Sequence, residues 1–532
     1  MRAFSQLLDD LVYTRSRNTK LRLIGDYLKE TPDPDRGYGL AALTGTLDIP
    51  HVKPAAIRGL VEERIDPVLF YMSRDYVGDT AETVSLLWPK RTGEPQEIDD
   101  ATIRISEAVE RLRSASRMDA PQVLARMLDH LDAPGRYAIL KLALGELRVG
   151  INARLAKQAL ADAFGLEIGA VEEVWHTLRP PFTALFDWAE GRRDQPSVRD
   201  VPVFRPFMLA HALEATKVSL DDYAAEWKWD GIRVQLVHAG GETRLYSRTG
   251  DDISGSFPEV AEAFRTKAVL DGELLVRGAD QGVPDVHGGA AASFNALQQR
   301  LGRKKVSAKT LGAYPAFVRL YDILFEGDED LRDLAWQERR RRLETFAAAL
   351  DPERFDLSQL IAAQRFEELE DLRLNARDVS IEGIMLKRRD SAYVAGRRTG
   401  LWYKWKRDPL IADCVLMYAQ RGSGKRSSYY SDYTFGCWAG RELLPVGKAY
   451  FGFTDEELKW LDRWIRSHTV QRFGPVREVE KELVLEVAFD SIHRSKRHKS
   501  GLAMRFPRIS RIRTDKPASE ADTIEALLSL VT

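Results

Sequence analysis

Cysteine is scarce in this sequence, with Cys414 and Cys437 the only two among 532 residues. Two cysteines cannot build a disulfide framework or a four-cysteine zinc site, so any metal must be bound by oxygen ligands. Long apolar runs are also absent, since none approaches the roughly 18 residues that cross a bilayer. The N-terminus lacks a basic start followed by an apolar stretch. We therefore expect a cytoplasmic protein with no membrane segment.

An excess of charge of either sign is lacking too, because 79 Lys and Arg residues nearly balance 80 Asp and Glu residues. Net charge therefore neither indicates nor excludes a polyanionic partner, and only local clusters bear on that question. A single basic cluster is ordinarily a solvated face, but the concentration of clusters after residue 300 favours a phosphate-rich partner. The clusters are Arg303-Lys304-Lys305, Lys387-Arg388-Arg389, Arg397-Arg398, Arg421 to Arg426, and His493 to Lys499.

The chain exceeds the size at which one hydrophobic core stops growing, about 250 to 300 residues, so several domains are expected. Apolar residues recur at helical spacing up to about residue 200, and short alternating segments with Gly-rich turns follow Pro202. After Asp408-Pro409, strand-like runs surround one amphipathic helix, Asp455 to Ser467. We predict a multidomain protein with an all-α domain at 1–201, an α+β domain at 202–408 and a small β-barrel at 409–532.

The most informative segment is 226–233, with the sequence EWKWDGIR. Strand periodicity places Glu226, Lys228 and Asp230 on one face and both tryptophans on the other. The ordinary interpretation is an amphipathic strand whose charged face meets water. A chemical role for Lys228 is the alternative, with Gly231 leaving backbone room for a bulky group to approach. An ordinary lysine amine is protonated at neutral pH, so a nucleophilic one needs desolvation or nearby positive charge.

Three further segments set charged residues into apolar strands. Asp271 and Glu273 share one side of a strand, where either an arginine or a bound Mg²⁺ or ribose must meet them. The run WYKWK at 402–406 presents two lysines on one face, as suits a buried phosphate. Glu382 and Lys387 have opposite parity on a third strand, so both reach one pocket only if that strand contains a bulge or bend.

Together with Ser247-Arg248-Thr249-Gly250 and Leu320-Tyr321-Asp322, these segments resemble, in order and type, the covalent nucleotidyltransferase superfamily of DNA ligases, RNA ligases and capping enzymes. The segments 504–508 (MRFPR) and 511–516 (RIRTDK) resemble the last motif of ATP-dependent DNA ligases, which lies in their C-terminal OB-fold. The helical first third, including 145–150, resembles the DNA-binding domain of larger ligases that encircle duplex DNA, as in bacterial-type enzymes.

This resemblance implies an adenylation (nucleotidyltransferase) domain at 202–408 and a monomeric enzyme that uses ATP with Mg²⁺ or Mn²⁺ to seal nicks in duplex DNA. Lys228 would attack the α-phosphorus of ATP, expel pyrophosphate and carry AMP to the 5′-phosphate of the nick. The other roles that the resemblance implies are these: Glu226 for the adenine amino group; Tyr321 for stacking on the base; Arg233, Arg248 and Glu273 for ribose or phosphate; Glu382, with Glu273, for the metal; Lys404 and Arg398 for the α-phosphate; Lys387 and Lys406 as supporting cations; and Arg505, Arg508 and Lys516 for pyrophosphate.

Three alternatives stand beside a DNA ligase: an RNA ligase, a capping guanylyltransferase, and a non-catalytic DNA-binding protein with a retained ligase core. The first two families generally lack a long helical N-terminal domain. The third predicts loss of Lys228, Glu382 or Lys404, all of which are present. An NAD-dependent ligase is disfavoured, since that family usually carries a four-cysteine zinc module.

Overall fold

The computed structural model describes residues 1–531 except 15, 90–102, 146, 199, 214–217, 278–296, 298–299, 302–305, 376–380, 423–429, 451 and 496–497. The basic cluster Arg303-Lys304-Lys305 lies outside the described residues, as do parts of the clusters at 421–426 and 493–499. The chain divides into two compact units. One, the outer unit, contains residues 1–168, 179–194 and 409–532; the other, the middle unit, contains residues 169–178 and 195–408.

The N-terminal part of the chain is helical, as its periodicity predicts. Side chains cap several helices: Ser16, Asp79 and Asn152 each accept a hydrogen bond from a backbone N–H in the first turn. Within the described residues, none of these helices combines the length and apolar character needed to span a bilayer. The helices are α1 (Arg2–Tyr13), α2 (Arg17–Glu30), α3 (Asp35–Leu43), α4 (Pro54–Arg64), α5 (Pro67–Val77), α6 (Thr80–Leu87), α7 (Ile105–Ser114), α8 (Ala120–His130), α9 (Ala133–Leu144), α10 (Ala153–Phe164), α11 (Ile168–Val174) and α12 (Thr183–Ala189).

The middle unit mixes strands with a few helices, as predicted for residues after Pro202. Its strands are β1 (Met208–Leu209), β2 (His211–Ala212), β3 (Tyr223–Trp229), β4 (Ile232–Ala239), β5 (Glu242–Ser247), β6 (Ala268–Val276), β7 (Ala316–Glu326), β8 (Glu329–Asp330), β9 (Phe355–Leu357), β10 (Ile381–Arg388), β11 (Gly396–Arg397) and β12 (Trp402–Lys406). Its helices after residue 195 are α13 (Pro258–Ala263), α14 (Ala308–Ala313), α15 (Trp336–Ala347) and α16 (Phe366–Asn375).

Two sheets organise this unit. One runs β5-β4-β6-β7-β8, with β9 also on β7, and the other runs β2-β12-β10-β3. The segment 226–233, for which the sequence predicts the periodicity of one strand, is divided at Asp230 and Gly231. The residues before the break belong to β3 and those after it to β4, and these two strands lie in different sheets. The first sheet has its own apolar core, which includes Val234, Leu270 and Leu320. Residues on β3 therefore lie where the two sheets meet.

The C-terminal region, residues 409–532, is mainly β-structure. It contains β13 (Leu410–Arg421), β14 (Tyr430–Ala439), β15 (Glu442–Ala449), α17 (Asp455–Ser467), β16 (Thr469–Phe473), β17 (Val476–Val479), β18 (Val484–Phe489), β19 (Ser491–Arg494), β20 (Leu502–Arg505), β21 (Arg508–Arg513) and α18 (Ile524–Leu528). The predicted helix at 455–467 is confirmed, and a capping box formed by Thr454 and Glu457 fixes its start.

The sheet of this region runs β15-β14-β13-β17-β16, and β18 pairs with both β13 and β21. No pairing between described strands closes this sheet into a complete barrel. The prediction of a barrel is therefore confirmed only as an OB-like, strongly paired antiparallel sheet. Its core is apolar and includes both cysteines, Cys414 and Cys437, on neighbouring strands.

Candidate active site

Strand β3 has two unlike faces, as its alternation predicts. Trp227 and Trp229 pack into an apolar core with Ile384 of β10. The opposite face carries Glu226 and Lys228, but it does not simply meet water: Glu226 is only 2% exposed and the Lys228 side chain 22% exposed. The ordinary interpretation of this segment, a charged face in solvent, is therefore wrong.

A bulge in β10 brings Glu382 onto the same face as Lys228. Ile381 pairs with Trp229 and Gly383 pairs with Lys228, so Glu382 is an extra residue between two regular pairs. Gly383 makes the irregularity possible, since its φ is +151° and a Cβ there would lie 2.2 Å from the Trp405 carbonyl oxygen. The bulge that opposite parity requires is thus present, and it lies at the acidic residue.

Lys228 lies in a cluster of opposing charges. Its Nζ donates to Oε2 of Glu382 at 2.5 Å, and Nζ of Lys406 is 3.4 Å from the same oxygen. Burial alone would raise the pKa of Glu382, but Lys228 and Lys406 outweigh burial and lower the pKa to about 2. Glu382 is therefore an anion at neutral pH. It balances the charges of Lys228 and Lys406.

Glu273, on β6, contributes a second carboxyl group to this cluster. Burial raises the pKa of Glu273 to about 8, the charge of Glu382 adds to the rise, and Lys228 opposes it. One of its oxygens accepts from the Gly231 backbone N–H at 3.2 Å. Glu273 and Glu382 thus differ strongly in proton affinity, and such a difference is typical of sites that perform acid–base chemistry or bind a cation.

The space at Gly231 serves a different purpose from the one that the sequence suggests. A Cβ at this position would lie 2.5 Å from the Leu274 carbonyl oxygen and 2.9 Å from Cγ of Glu273. The glycine therefore allows the backbones of β4 and β6 to approach each other. It does not leave an open path for a ligand to Lys228, so that expectation is wrong.

Glu226 and Lys387 form a buried ion pair beneath aromatic rings. Oε1 of Glu226 contacts Nζ of Lys387, and that ammonium lies 4.4 Å from the ring centre of Tyr321 and 4.5 Å from that of Trp402. Burial lowers the pKa of Lys387, while Glu226 opposes the shift. The second oxygen of Glu226, Oε2, is buried and has no hydrogen-bond partner among the described residues. Nη1 of Arg340 lies 4.0 Å from this oxygen, beyond hydrogen-bond distance, so Oε2 retains the capacity to accept from a ligand's amino group.

Arg233 is the cation that pairs with the buried carboxylate of Asp271. Its Nη2 donates to Oδ2 of Asp271 at 2.9 Å, and its guanidinium lies 4.2 Å from the ring centre of Phe207. Asp271 is fully buried and also accepts from Tyr393. The expectation that a cation meets the carboxylates of β6 is therefore confirmed for Asp271, and the cation is an arginine.

Lys404, on β12, completes the positive side of the cluster. Burial lowers its pKa, and the positive charges of Arg397, Lys406, Lys228 and Arg248 lower it further. Arg248, on the turn after β5, and Arg398, after β11, are both exposed. The structure thus places Lys404 and Lys406 beside Lys228 and brings Arg248 within the electrostatic reach of Lys404, while no described contact joins Arg398 to the group. It also adds Arg397, which the sequence did not single out.

Comparison with known proteins identifies the family. Residues 207–406 match the ATP dependent DNA ligase domain, and residues 426–516 match the ATP dependent DNA ligase C terminal region. A probable DNA ligase of Koribacter versatilis is 31% identical over 569 residues, covering 99% of this chain and 95% of that protein. The chain belongs to the ATP-dependent DNA ligase family. DNA ligase 1 of Korarchaeum cryptofilum is 29% identical, covering 99% of this chain and 97% of the relative.

The fold of the family extends along nearly the whole chain. The solved structure described as Pmar-Lig_PreS3 covers 96% of this chain and 99% of its own, with a TM-score of 0.59 and 15% identity. At that identity the likeness concerns the fold alone. It includes the N-terminal helical region, which neither family domain covers.

The three basic residues predicted for pyrophosphate lie in the family's C-terminal region, on β20, on β21 and on the turn that follows. Arg505 stacks over Phe506, with its guanidinium carbon 5.1 Å from the ring centre. Arg508 lies 3.3 Å from Oδ1 of Asp490, and Lys516 donates to Oδ2 of Asp413 at 2.8 Å. Each therefore has a neighbour within its own region of the ligase fold.

Proposed function

We propose that this ligase seals nicks in duplex DNA through an adenylate carried on Lys228, with release of pyrophosphate and then of AMP. The observation that carries the proposal is the position of Lys228. Its side chain is 22% exposed, and its amine lies 2.5 Å from Oε2 of Glu382, the oxygen that Lys406 also approaches. Glu273 and Lys404 are within its electrostatic reach. The family makes ATP the nucleotide and DNA the substrate.

The first step is an in-line displacement at the α-phosphorus of ATP. The Lys228 ammonium first gives up one proton, and the neutral nitrogen then forms a bond to phosphorus as the bond to the pyrophosphate oxygen breaks. A second proton leaves the nitrogen for solvent, so that the product is a phosphoramidate that keeps one N–H. Negative charge develops on the phosphoryl oxygens, so preorganised cations lower the barrier. Lys404 and Lys406 on β12, with Arg248 and Arg398 on nearby turns, are the side chains that we assign to this task.

Recognition of the nucleotide follows from the buried groups beside Lys228. We assign Oε2 of Glu226, which accepts no hydrogen bond from the described residues, to the adenine amino group, which is a hydrogen-bond donor. Tyr321 would stack on the base, and Arg233 with Glu273 would contact the ribose. Lys387 is paired to Glu226, so its part is to hold that carboxylate in place.

Glu273 and Glu382 are the pair that we assign to a divalent cation, Mg²⁺ or Mn²⁺. Among the described residues, no cluster of three or more acidic, histidine or cysteine side chains is preformed. Two carboxylates nevertheless fit Mg²⁺, which usually takes one or two carboxylates and leaves its remaining positions to water and phosphate oxygens. The bound ion would supply positive charge to the triphosphate. The raised pKa of Glu273 marks a carboxyl group that such an ion would stabilise as an anion.

The domain functions that we propose follow the predicted division. Residues 1–201 would bind DNA, 202–408 would carry out adenylation, and 409–532, as an OB-fold, would bring Arg505, Arg508 and Lys516 to the pyrophosphate. The family domain matches at 207–406 and 426–516 support the second and third assignments. The likeness of fold over 96% of the chain supports a ligase-type helical region in the first.

The decisive experiment incubates the full chain with α-labelled ATP and Mg²⁺ and measures label retained on denatured protein. Lys228→Ala is expected to abolish labelling. Lys309→Ala, which removes an exposed lysine from α14 of the same unit, is the matched control and should label normally. Failure of the unaltered protein to retain label, or labelling of Lys228→Ala, would contradict the proposed adenylate carrier.

Substrate choice is tested separately, because an RNA ligase would pass the labelling test. We expect a nicked DNA duplex to be sealed faster than nicked or single-stranded RNA. Affinity for nicked DNA should fall with salt, with a logarithmic slope of about 0.9 for each phosphate contacted. Faster sealing of RNA would favour the RNA ligase alternative, and a flat salt response would exclude extensive contact with the duplex backbone.

A further inference from the structure

The hydroxyl of Tyr393 joins three parts of the middle unit. It donates to Oδ2 of Asp271 on β6 at 2.5 Å, accepts from the Met208 backbone N–H on β1 at 3.2 Å, and accepts from Nη2 of Arg233 on β4 at 3.3 Å. Tyr393 itself lies between β10 and β11 and is 6% exposed. A single buried hydroxyl therefore uses both its donor and its acceptor capacity on residues far apart in the sequence.

Arg233 is the part of this network that faces the proposed nucleotide site. Its Nη1 donates to the Met208 carbonyl oxygen at 2.7 Å, and its guanidinium lies 5.8 Å from the ring centre of Tyr321. The Tyr393 hydroxyl and Asp271 both meet Nη2. These partners hold the planar guanidinium in one orientation.

We propose that Tyr393 is a positioning residue for the nucleotide step, acting through Arg233. The hydroxyl would fix the guanidinium in the orientation that contacts the bound nucleotide, so that ATP binding does not have to order it. Tyr393 does not touch the nucleotide in this scheme. The inference rests on the proposed function, in which Arg233 contacts the ribose of ATP.

The Tyr393→Phe variant isolates the hydroxyl. Phenylalanine keeps the ring, which meets Trp402 edge to face with centroids 5.9 Å apart, and so the packing is retained. Without the hydroxyl, Arg233 loses one acceptor and can leave its orientation. We take the KM for ATP as the concentration that gives half the maximal single-turnover labelling rate, and kcat as that maximal rate constant. The KM is expected to rise about tenfold, which corresponds to ~1.4 kcal/mol, while kcat changes less than about threefold.

Tyr433→Phe is the matched control. It also removes one buried hydroxyl, which donates to the Tyr430 carbonyl oxygen at 2.8 Å in the C-terminal region. The two variants are expected to lower the midpoint of thermal unfolding to a similar extent, but only Tyr393→Phe should raise the KM for ATP. If the Tyr393 hydroxyl has only a structural role, neither variant will raise the KM for ATP, or both variants will lower kcat. Either result would contradict the proposal.

Arg233→Lys tests the same contact from its other side. The lysine retains a charge for Asp271 but cannot reproduce the fork of hydrogen bonds, so we expect a comparable rise in the KM for ATP. In the Arg233→Lys background, adding Tyr393→Phe should change the KM for ATP less than twofold. The guanidinium through which the Tyr393 hydroxyl is proposed to act is already absent from that variant. Full additivity, or a wild-type KM for Tyr393→Phe, would overturn the inference.

The outcome also separates the inference from the function on which it rests. If the unaltered chain retains no label, the proposed adenylate carrier fails, and the role of Tyr393 fails with it. If the unaltered chain is labelled and Tyr393→Phe is labelled with the same KM for ATP, only the inference is wrong.

Discussion

Both β-rich regions of the molecule have apolar cores, and they differ in the charged side chains buried beside those cores. Between residues 223 and 391 the structure buries Glu226, Asp271, Asp322, Arg339 and Lys387. In the described part of 409–532, no charged side chain is buried to that degree. Burying a charge is costly unless a partner compensates it. Folding of the middle unit therefore includes a desolvation cost for buried charges that the described part of the C-terminal region does not have. Several of these charges lie beside the proposed active site.

Each buried acid of the middle unit named above has a cationic partner. Glu226 pairs with Lys387, Asp271 with Arg233, and Asp322 with Arg339. The first two pairs border the nucleotide site that we propose. In contrast, the core of the C-terminal region packs apolar side chains such as Leu485 and Phe435. The interior of the middle unit holds charged groups in defined positions. The core of the C-terminal region stabilises its sheet through apolar packing.

The largest effect is expected when one buried charge loses its partner. Arg339 and Asp322 are both 0% exposed and meet through two hydrogen bonds, at 2.8 and 3.0 Å. Arg339→Met leaves Asp322 buried without its cation and should lower the free energy of unfolding by about 3–5 kcal/mol. Urea denaturation measures this change. Adding Asp322→Leu should recover much of the loss; if it does not, uncompensated charge is not the cause.

An exposed ion pair provides the contrast to that variant. Arg466 and Asp462 meet at 2.6 Å on α17, and the arginine side chain is 48% exposed. Arg466→Ala should lower the free energy of unfolding by less than about 1 kcal/mol. An equal loss in the two arginine variants would remove the distinction between the cores.

An apolar truncation tests the other core. Leu485 is fully buried on β18 of the C-terminal region. Leu485→Ala should cost about 2–4 kcal/mol, through lost transfer free energy and the cavity that remains. The matched control is Leu528→Ala on α18, where the side chain is 37% exposed and the loss should be below about 1 kcal/mol. Denaturant titration measures the free energy of unfolding of each variant. A small decrease for Leu485→Ala would mean that neighbouring side chains move to fill the cavity.

A third prediction concerns the bulge at Glu382. Gly383→Ala places a Cβ against the Trp405 carbonyl oxygen in a backbone conformation that alanine disfavours. We expect a loss of about 2–3 kcal/mol and a strong reduction in labelling from α-labelled ATP.

Gly312→Ala is the control for that substitution. Gly312 lies on α14, and a methyl group added there would meet no atom within 4 Å, so alanine should stabilise the helix by about 0.5–1 kcal/mol. Normal labelling by both glycine variants would show that the bulge does not govern the position of Glu382.

The smallest effect is expected from the pH dependence of Glu273. Its pKa in the folded protein, about 8, lies above the ordinary value of 4.5, so its contribution to stability is complete below 4.5 and is lost as pH rises through 8. Relative to Glu273→Gln, the unaltered protein should lose on the order of 1–2 kcal/mol between pH 5 and 9. Thermal unfolding with EDTA measures this loss, and Mg²⁺ should reduce it. Parallel curves for the two proteins would exclude the raised pKa.

The sequence predicts the positions of the main motifs because their residues are adjacent in the chain. The two faces of β3 follow from alternation at 226–229, and α17 follows from its apolar spacing and its capping box. Parity also predicts the irregularity in β10 before its position is known. Local patterns of this kind depend on backbone geometry, which a few neighbouring residues determine.

What the sequence does not reveal are the partners of the buried charges. Tyr393 and Asp271 are separated by 122 residues, and no local pattern distinguishes this tyrosine from an exposed one. The break at Asp230 and Gly231 is missed for a similar reason, since the two halves of the segment join different sheets. The purpose of Gly231 becomes apparent only when β6 lies beside it.

The extra residue in β10 has a consequence for how this region can change during evolution. A chain one residue shorter between Ile381 and Gly383 would pair regularly with β3, and the hydrogen-bonded ladder would be more uniform. The acid would then be lost from the side of the strand that holds the lysine. A fully regular ladder and a carboxylate beside the lysine therefore exclude each other at this position, and the strand has the carboxylate.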